Sequence, residues 1–411
     1  MLASTRFLLL AGFVVFLSPF SVNGTEEFAN PPTPLPVKAG EQIATSLVDL
    51  IFLFDRVASD PPTATSRDYL GRISTPSSPL YDDYLEYRRG RISRAELVRR
   101  LPHAAMMGDS LTQHFYISSP VSLFWRARTQ RRKNWFLDTD SNPASIRSVY
   151  ERLETFTPLV ATEYSGAGAL VAPSQAGEGI RRKIVRTRNF FGQTRQILRK
   201  REFPDLIMIW IGHNNLDWTE GLSAAQREHP EKRLQEMAAQ FRENYREPVQ
   251  SLIDRAKTEN HNVSIVVFGL ANIEAFFKGR RKAEALHARN PKLYPYFDSG
   301  YHSFESLKPP YQKNMVRLSW MMNGEMRAMV ADLNRQLKNN DHVLVQYSNA
   351  LTKVDFGRLE LINPVDAWHP SVEGHKALAA AAFGALGPSL KFLGLVQKSS
   401  PASGLTAQRT R

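Results

Sequence analysis

Ser110 stands in a short motif whose residue types suit a catalytic nucleophile. The motif Gly108–Asp109–Ser110 directly follows an apolar run, Ala104 to Met107, that is typical of a buried strand. Gly108 permits a tight turn, which would expose the Ser110 hydroxyl at the start of a helix. Asp and Ser are also favoured as ordinary helix caps. This tripeptide alone is therefore explained equally well by a cap and by a nucleophile.

Asp366 and His369 have the spacing of a base and the residue that orients it. Three residues apart, and followed by Pro370 and the candidate N-cap Ser371, they should lie on one side of a single turn. The carboxylate can then accept a hydrogen bond from Nδ1–H of the imidazole, which leaves Nε2 to take a hydroxyl proton. A structural capping pair would look the same by itself. Together with an exposed serine at the same sheet edge, the pair predicts base catalysis.

Two further segments could stabilise a developing oxyanion. Asn214, within Gly212–His213–Asn214–Asn215, offers a side-chain amide donor. Ser165–Gly166–Ala167–Gly168 offers backbone N–H groups that a ligand can approach closely, with Gly166 and Gly168 both candidates. Each segment is also a good turn sequence, which is the structural alternative.

The chain between these motifs alternates between strand-like and helix-like patterns. Five runs predict strands: Ala104 to Met107, Phe156 to Thr162, Leu206 to Ile211, Val263 to Phe268 and Val343 to Tyr347. The long helical patterns lie at 223–257, 319–337 and 371–390. Alternation of this kind implies right-handed crossovers and a parallel sheet. We therefore predict a three-layer α/β/α sandwich with a five-stranded parallel sheet, which binds ligands beyond the carboxyl ends of its strands.

The remaining segments divide the chain further. We predict, in chain order, a secretory signal at 1–24, an N-terminal extension at 25–100, a catalytic domain at 101–395 and a flexible tail at 396–411. The extension contains an amphipathic segment at 41–57 and a capping box at Ser93 to Glu96 that opens a short helix. Residues 276–311 show no clear period, which indicates a lid or a solvated insertion.

Composition excludes several kinds of chemistry. The chain has no cysteine, so disulfides, thiolate catalysis and cysteine-bound zinc are ruled out. No His-Glu-x-x-His pair or dinucleotide-binding motif occurs, and we predict neither a metal nor a cofactor. No Gly-x-Ser-x-Gly elbow supports an α/β-hydrolase.

The formal charge of +13 favours contact with anionic partners. The basic residues concentrate at 126–133 and 181–201, where a solvated helix face and a polyanion site are the two interpretations. Anionic membrane or polysaccharide could be touched peripherally. No zinc-finger spacing or RNA-binding signature points to specific nucleic-acid binding, and the oligomeric state stays open.

Taken together and in this order, the four motifs resemble those of the SGNH hydrolases, also called GDSL esterases and lipases. The resemblance spans residues 105–390 and implies a flavodoxin-like fold, with Ser110 as nucleophile, His369 as base and Asp366 as its partner. It also implies an oxyanion hole formed by the N–H of Ser110, a glycine N–H at Gly166 or Gly168, and Asn214. One departure is Asn215, where the family usually has aspartate.

The resemblance implies an esterase that acts through a covalent acyl-enzyme, and the signal at 1–24 predicts that it is secreted. Lipid or phospholipid esters are slightly favoured as substrates because of the basic charge and the aromatic residues Phe297, Tyr301 and Phe304. A carbohydrate O-acetylesterase or O-acyltransferase would use the same triad, and acylated glycans are equally compatible with export. A non-catalytic basic protein that binds anionic polymer or lipid is the remaining alternative.

Overall fold

The structure, a computed structural model, describes residues 61–113, 132–139, 146–172, 189–219, 222–294, 307–364 and 366–395. The predicted signal at 1–24, the amphipathic segment at 41–57, the tail at 396–411 and the three aromatic residues Phe297, Tyr301 and Phe304 lie outside the described residues. Of the two basic stretches, residues 126–131 and 181–188 also lie outside them. Among the described basic residues of these stretches, Lys133 is half-buried and the others are exposed, namely Arg132, Arg195, Arg199, Lys200 and Arg201.

A six-stranded sheet forms the centre of the molecule. In chain order its strands are β1 (Thr63–Thr65), β2 (His103–Gly108), β3 (Val160–Glu163), β4 (Leu206–Trp210), β5 (Val263–Phe268) and β6 (Val343–Ser348). Their spatial order is β1-β3-β2-β4-β5-β6. Strands β2 to β6 are parallel to one another. The predicted five-stranded parallel sheet is therefore confirmed, and β1 adds an antiparallel edge strand.

The central strands are apolar because both faces of the sheet are covered by helices. Every residue of β4 and of β5 is buried. After three helices in the extension, the described helices are α4 (Val149–Glu154), α5 (Phe190–Leu198), α6 (Ala224–Glu228), α7 (Glu231–Thr258), α8 (Ile273–Arg289), α9 (Pro309–Gln336), α10 (Val372–Gly384) and α11 (Gly387–Phe392). This is the predicted α/β architecture. Within the described ranges, no helix is both long and apolar enough to cross a bilayer.

Residues from the N-terminal extension pack against the edge of the sheet. Strand β1 pairs with β3, and α1 (Tyr69–Ile73), α2 (Tyr81–Arg88) and α3 (Arg94–Arg99) follow it. The predicted cap of α3 is present, since the Ser93 hydroxyl accepts the N–H of Glu96. A small apolar cluster joins the extension to β3 through Tyr69, Ile73, Leu97, Leu101 and Val160.

The structure differs from the sequence-based prediction most clearly at residues 276–311. Helix α8 occupies 273–289, where we expected no regular structure. Its buried face includes Gly279 and Arg280 as well as apolar residues, which obscured the helical period. Gly279 is needed there because a Cβ would clash with the backbone carbonyl of Phe356.

Three other elements have boundaries that differ from the sequence-based prediction. Strand β3 begins at Val160, because α4 and a turn occupy the chain before it and Phe156 is exposed. The helix predicted at 223–257 is two helices, since Pro230 lacks the N–H that would continue α6 into α7. Helix α9 begins at Pro309, a residue that suits the first turn of a helix.

Candidate active site

Ser110 follows β2 in a turn that the sequence closely constrains. The side chain of Ser110 is half-buried, whereas the preceding Asp109 is fully buried. Asp109 accepts backbone hydrogen bonds at its carbonyl oxygen from Thr112 and Gln113, which closes the turn. A Cβ on Gly108 would clash with the Thr112 hydroxyl and lie 3.0 Å from the Trp210 carbonyl oxygen. Only glycine fits at this point.

Two buried glutamines hold this turn, and sequence analysis missed both. The amide of Gln193, on α5, accepts the N–H of Gly108 at 2.9 Å and donates to its carbonyl oxygen at 2.8 Å. Gln113 donates from Nε2 to the Ser165 carbonyl oxygen at 2.7 Å. They fix the backbone two residues before Ser110 and tie the turn to the glycine segment that follows β3. Neither contact has a local sequence signal, because each joins residues more than 50 positions apart.

Asp109 and His213 form a buried pair that crosses between the ends of β2 and β4. Asp109 Oδ2 lies 2.8 Å from His213 Nδ1 and accepts the backbone N–H groups of Gly212 and His213, while Oδ1 accepts that of Leu111. His213 Nε2 accepts the N–H of Ala271 at 3.1 Å. Because Nε2 is an acceptor, Nδ1 carries the proton and donates it to Asp109. Both ring nitrogens are therefore occupied by structural hydrogen bonds.

The glycine and asparagine segments meet between the ends of β3 and β4. Gly166 is buried and its N–H donates to the Gly108 carbonyl oxygen at 3.0 Å. Gly168 is half-buried, has a positive φ of 66°, and its N–H makes no hydrogen bond within the described residues. Asn214 is half-buried and donates from Nδ2 to the Ala169 carbonyl oxygen at 2.9 Å.

Asn215 also contacts this loop. Its Oδ1 accepts the N–H of Val171 at 2.9 Å. A carboxylate oxygen in the same place could accept that hydrogen bond. Asparagine thus supplies the acceptor that the aspartate usual in the SGNH family would offer.

Asp366 and His369 are in direct contact, with 2.5 Å between Asp366 Oδ2 and His369 Nδ1. Asp366 Oδ1 accepts the backbone N–H groups of Trp368 and His369. Burial raises the pKa of the Asp366 carboxyl, but the charge and hydrogen bond of His369 and the two backbone N–H groups together outweigh burial and lower the pKa below its ordinary value. Asp366 is thus held as a carboxylate beneath the imidazole.

The chain around Asp366 and His369 is held by α8 and by Asn363, which precedes the pair in the sequence. Trp368 packs against Phe276 of α8, with 5.3 Å between ring centroids. The fully buried Arg280 directs Nη1 towards the Asp366 carbonyl oxygen at 3.5 Å. Asn363 donates its N–H to the His369 carbonyl oxygen at 2.7 Å. Ala367 takes a φ of 55°, which lets the turn bring both side chains together.

The described contacts join the predicted site residues into two groups. One group contains the Ser110 turn, the Gly166–Gly168 segment and Asn214, at the adjacent ends of β2, β3 and β4. The other group is Asp366 with His369. Helix α8 connects the groups, because Ala271, just before it, donates to His213 while Phe276, in its first turn, packs on Trp368.

The chain belongs to the GDSL-like Lipase/Acylhydrolase family, whose model matches residues 105–382, more than half of the sequence. The resemblance read from the motifs is confirmed by this match. The family and the α/β fold define the protein as an ester-hydrolysing enzyme. No curated protein sequence matched the chain.

The solved structures that are similar to this chain include two Streptomyces enzymes. An extracellular lipase from Streptomyces rimosus is 12% identical, with a TM-score of 0.36, and the match covers 69% of this chain and 99% of the lipase. A phospholipase A1 from Streptomyces albidoflavus NA297 is 11% identical, with the same TM-score and the same coverage of 69% and 99%. At this level of similarity they say nothing about the substrate of this chain.

Proposed function

We propose that this enzyme is an exported serine esterase in which Ser110 is the nucleophile, His369 the general base and Asp366 the residue that orients it. The observation that supports this most directly is the contact between the Asp366 carboxylate and His369 Nδ1. With Nδ1–H bound to the carboxylate, Nε2 is the nitrogen that accepts a proton. His213 cannot take this role, since its Nδ1 is bound to the Asp109 carboxylate and its Nε2 accepts the backbone N–H of Ala271.

The proposed chemistry is acyl transfer in two steps. Ser110 Oγ attacks the ester carbonyl carbon while His369 Nε2 removes the hydroxyl proton, and the tetrahedral intermediate expels the alcohol, which takes that proton. Water then attacks the acyl-enzyme, with His369 again as base, and releases the carboxylic acid and free Ser110. The lowered pKa of Asp366 keeps a negative charge beside the imidazolium in both steps.

The proposed oxyanion hole consists of the N–H of Ser110, the N–H of Gly168 and the side-chain amide of Asn214. Gly168 is the better of the two glycine candidates, because Gly166 is buried and donates its N–H to Gly108. An amide nitrogen has two protons. Asn214 uses one for Ala169, so the second can reach the substrate oxygen. One such donor contributes about 3 kcal/mol to transition-state stabilisation.

Replacing the nucleophile tests the proposal. We expect Ser110→Ala to lower kcat on a nitrophenyl ester by about 10⁴-fold or more, with unchanged circular dichroism and an unchanged unfolding midpoint. Ser165→Ala is the matched control, since Ser165 is a buried serine at the same edge of the sheet whose side chain is given no chemical role. Near wild-type turnover in Ser110→Ala would remove Ser110 from the mechanism.

Export rests on the charged start, the apolar run and the small residues within 1–24. The expected mature protein lacks these residues. Amino-terminal sequencing of protein recovered from the medium of expressing cells checks this. Recovery of the full-length chain only from inside the cells would contradict export and leave the esterase proposal intact.

A further inference from the structure

A cavity lies at the carboxyl edge of the sheet, beside β5 and β6. Its volume is about 540 Å³, within the range of small-molecule sites. Its walls come from the middle of α9, the start of α8, and the chain that follows β6. The lining side chains on which the argument depends are Asn272, Trp320, Arg327, Tyr347, Asn349 and Lys353.

The back wall of the cavity is preformed. Asn323 Oδ1 accepts the N–H of Leu270 at 2.7 Å, and the Thr352 hydroxyl donates to the Leu270 carbonyl oxygen at 2.8 Å. Both clamping side chains are buried and line the cavity. A ligand would therefore meet a wall that already has its bound geometry, which reduces the entropy lost on binding.

The lining suits a sugar ring better than an acyl chain. Trp320 is 47% exposed, a large fraction for a tryptophan, and offers a flat apolar surface to the C–H face of a ring. The exposed amide of Asn349 can both donate and accept, as sugar hydroxyls require. The Oδ1 of the half-buried Asn272 caps α8 by accepting the N–H of Ala275, so its amide offers Nδ2 as a donor. An acyl chain would instead require a continuous apolar lining.

Positive charge at the cavity favours an acidic sugar. The Arg327 guanidinium lies over the Tyr347 ring, 5.4 Å from its centroid, and Arg327 and Lys353 are both exposed. A guanidinium held in this way can bind a carboxylate with two parallel hydrogen bonds. Asp355 also lines the cavity. Its Oδ1 accepts the N–H of Gly357, and this hydrogen bond partly offsets the negative charge of the carboxylate.

The cavity is connected to both groups of the active site. Asn272 follows Ala271, whose N–H binds His213, and Phe356, next to Asp355, stacks on Phe276 beneath Trp368. From the spacing of neighbouring strands, it lies roughly 10–15 Å from the end of β2. An oligosaccharide of a few units spans such a distance.

We propose that this cavity is a glycan subsite, and that it binds an acidic sugar unit of an O-acylated polysaccharide whose ester is cleaved at Ser110. The proposal rests on the proposed esterase function and specifies its substrate class. It favours acylated glycans over the lipid esters that the sequence slightly favoured.

Binding and turnover test the subsite separately. In calorimetric titrations with short oligogalacturonates, we expect Trp320→Ala to weaken wild-type binding about tenfold or more, and Trp320→Phe to retain most of it. Arg327→Gln should weaken binding roughly tenfold without changing the affinity for a neutral cello-oligosaccharide. Phe156→Ala removes another exposed aromatic far from the cavity and is the matched control.

On acetylated oligogalacturonate, Trp320→Ala should raise KM at least fivefold, whereas kcat/KM on nitrophenyl acetate stays unchanged.

The two proposals fail in different ways. Wild-type binding of no glycan, or equal binding by wild type and Trp320→Ala, overturns the subsite even if nitrophenyl acetate is hydrolysed. Glycan binding that depends on Trp320, in a protein that hydrolyses no ester, overturns the esterase mechanism and leaves the subsite. Binding to phosphatidylserine vesicles that is lost in Trp320→Ala, without glycan binding, assigns the cavity to lipid headgroups and overturns the glycan proposal.

Discussion

Two aspartate–histidine pairs lie at the same edge of the sheet, yet they differ in burial and in sequence separation. The Asp109–His213 pair is sealed, with 0% and 4% of the side chains exposed, and its members are 104 residues apart. In the Asp366–His369 pair the histidine is 13% exposed and lies three residues from its partner. The same two residue types thus link neighbouring strand ends in one place and form a candidate base with its orienting carboxylate in the other.

The difference shows that chemical role follows from the surroundings of the ring nitrogens. His213 Nε2 accepts a backbone N–H, which fixes the ring as a neutral bridge between the ends of β2, β4 and β5. The backbone of Asp366 and His369 instead forms a single tight turn at the surface of the site. Substitutions at the two pairs should consequently separate stability from catalysis.

The largest expected effect is on catalysis at the Asp366–His369 pair. His369→Ala should lower kcat on a nitrophenyl ester about 10⁴- to 10⁶-fold, and Asp366→Asn about 10⁴-fold, because an amide no longer selects the productive tautomer. Steady-state kinetics measure both, and urea unfolding checks that the variants fold. If either variant kept a tenth of wild-type kcat, the pair would be structural, like Asp109–His213.

The next effect is on stability at the sealed pair. His213→Ala leaves the buried Asp109 carboxylate without its side-chain donor, and we expect the free energy of unfolding to fall by about 2–4 kcal/mol. The kcat should fall only about 10- to 100-fold. Urea unfolding and kinetics give the two numbers. His213→Asn, which retains a donor, is the conservative control and should recover part of both. A loss of activity as complete as in His369→Ala, with unaltered stability, would make His213 catalytic.

A smaller effect is expected within the local turn. Ala367 has a φ of 55°, a conformation that costs an L-residue roughly 1–2 kcal/mol. Glycine removes this strain but loses more backbone entropy on folding. Ala367→Gly should therefore raise the free energy of unfolding by about 0.5 kcal/mol and leave kcat within about twofold. Ala377→Gly, inside α10, is the control and should destabilise. A large drop in kcat for Ala367→Gly would show that strain positions His369.

The smallest effect belongs to a third pair, at the opposite edge of the sheet. The Asp205 carboxylate, whose Oδ1 lies 3.3 Å from His261 Nε2, accepts from the imidazole and with its negative charge raises the pKa of His261 despite burial. Because the folded pKa exceeds the unfolded value of about 6.5, the pair stabilises the fold fully below that pH and loses its effect as pH rises through the folded pKa. The unfolding midpoint of wild type should exceed that of His261→Asn more at about pH 5.5 than at about pH 8.5. An equal difference at both pH values would contradict this, and turnover should not change.

The fold was largely predictable because the period of apolar residues reports burial directly. The strand predicted at Val263 to Phe268 was confirmed with its boundaries, and the five parallel strands were all foreseen. Helix α8 was missed because Gly279 and Arg280 lie on its buried face. The edge strand β1 is three residues long and exists through its pairing with β3, which a local pattern does not reveal.

The sequence by itself determined the parallel sheet and the family. It also determined two local features, the glycine at 108 and the three-residue spacing of Asp366 and His369. Only the tertiary structure decided which histidine is sealed, which glycine donates its N–H to a neighbouring strand, and that Gln193 holds the turn before Ser110. The physical reason is the separation along the sequence of the residues that interact. A turn depends on neighbours in the chain, whereas the hydrogen bonds that restrain Asp109, His213 and Gly108 come from residues between 58 and 104 positions away.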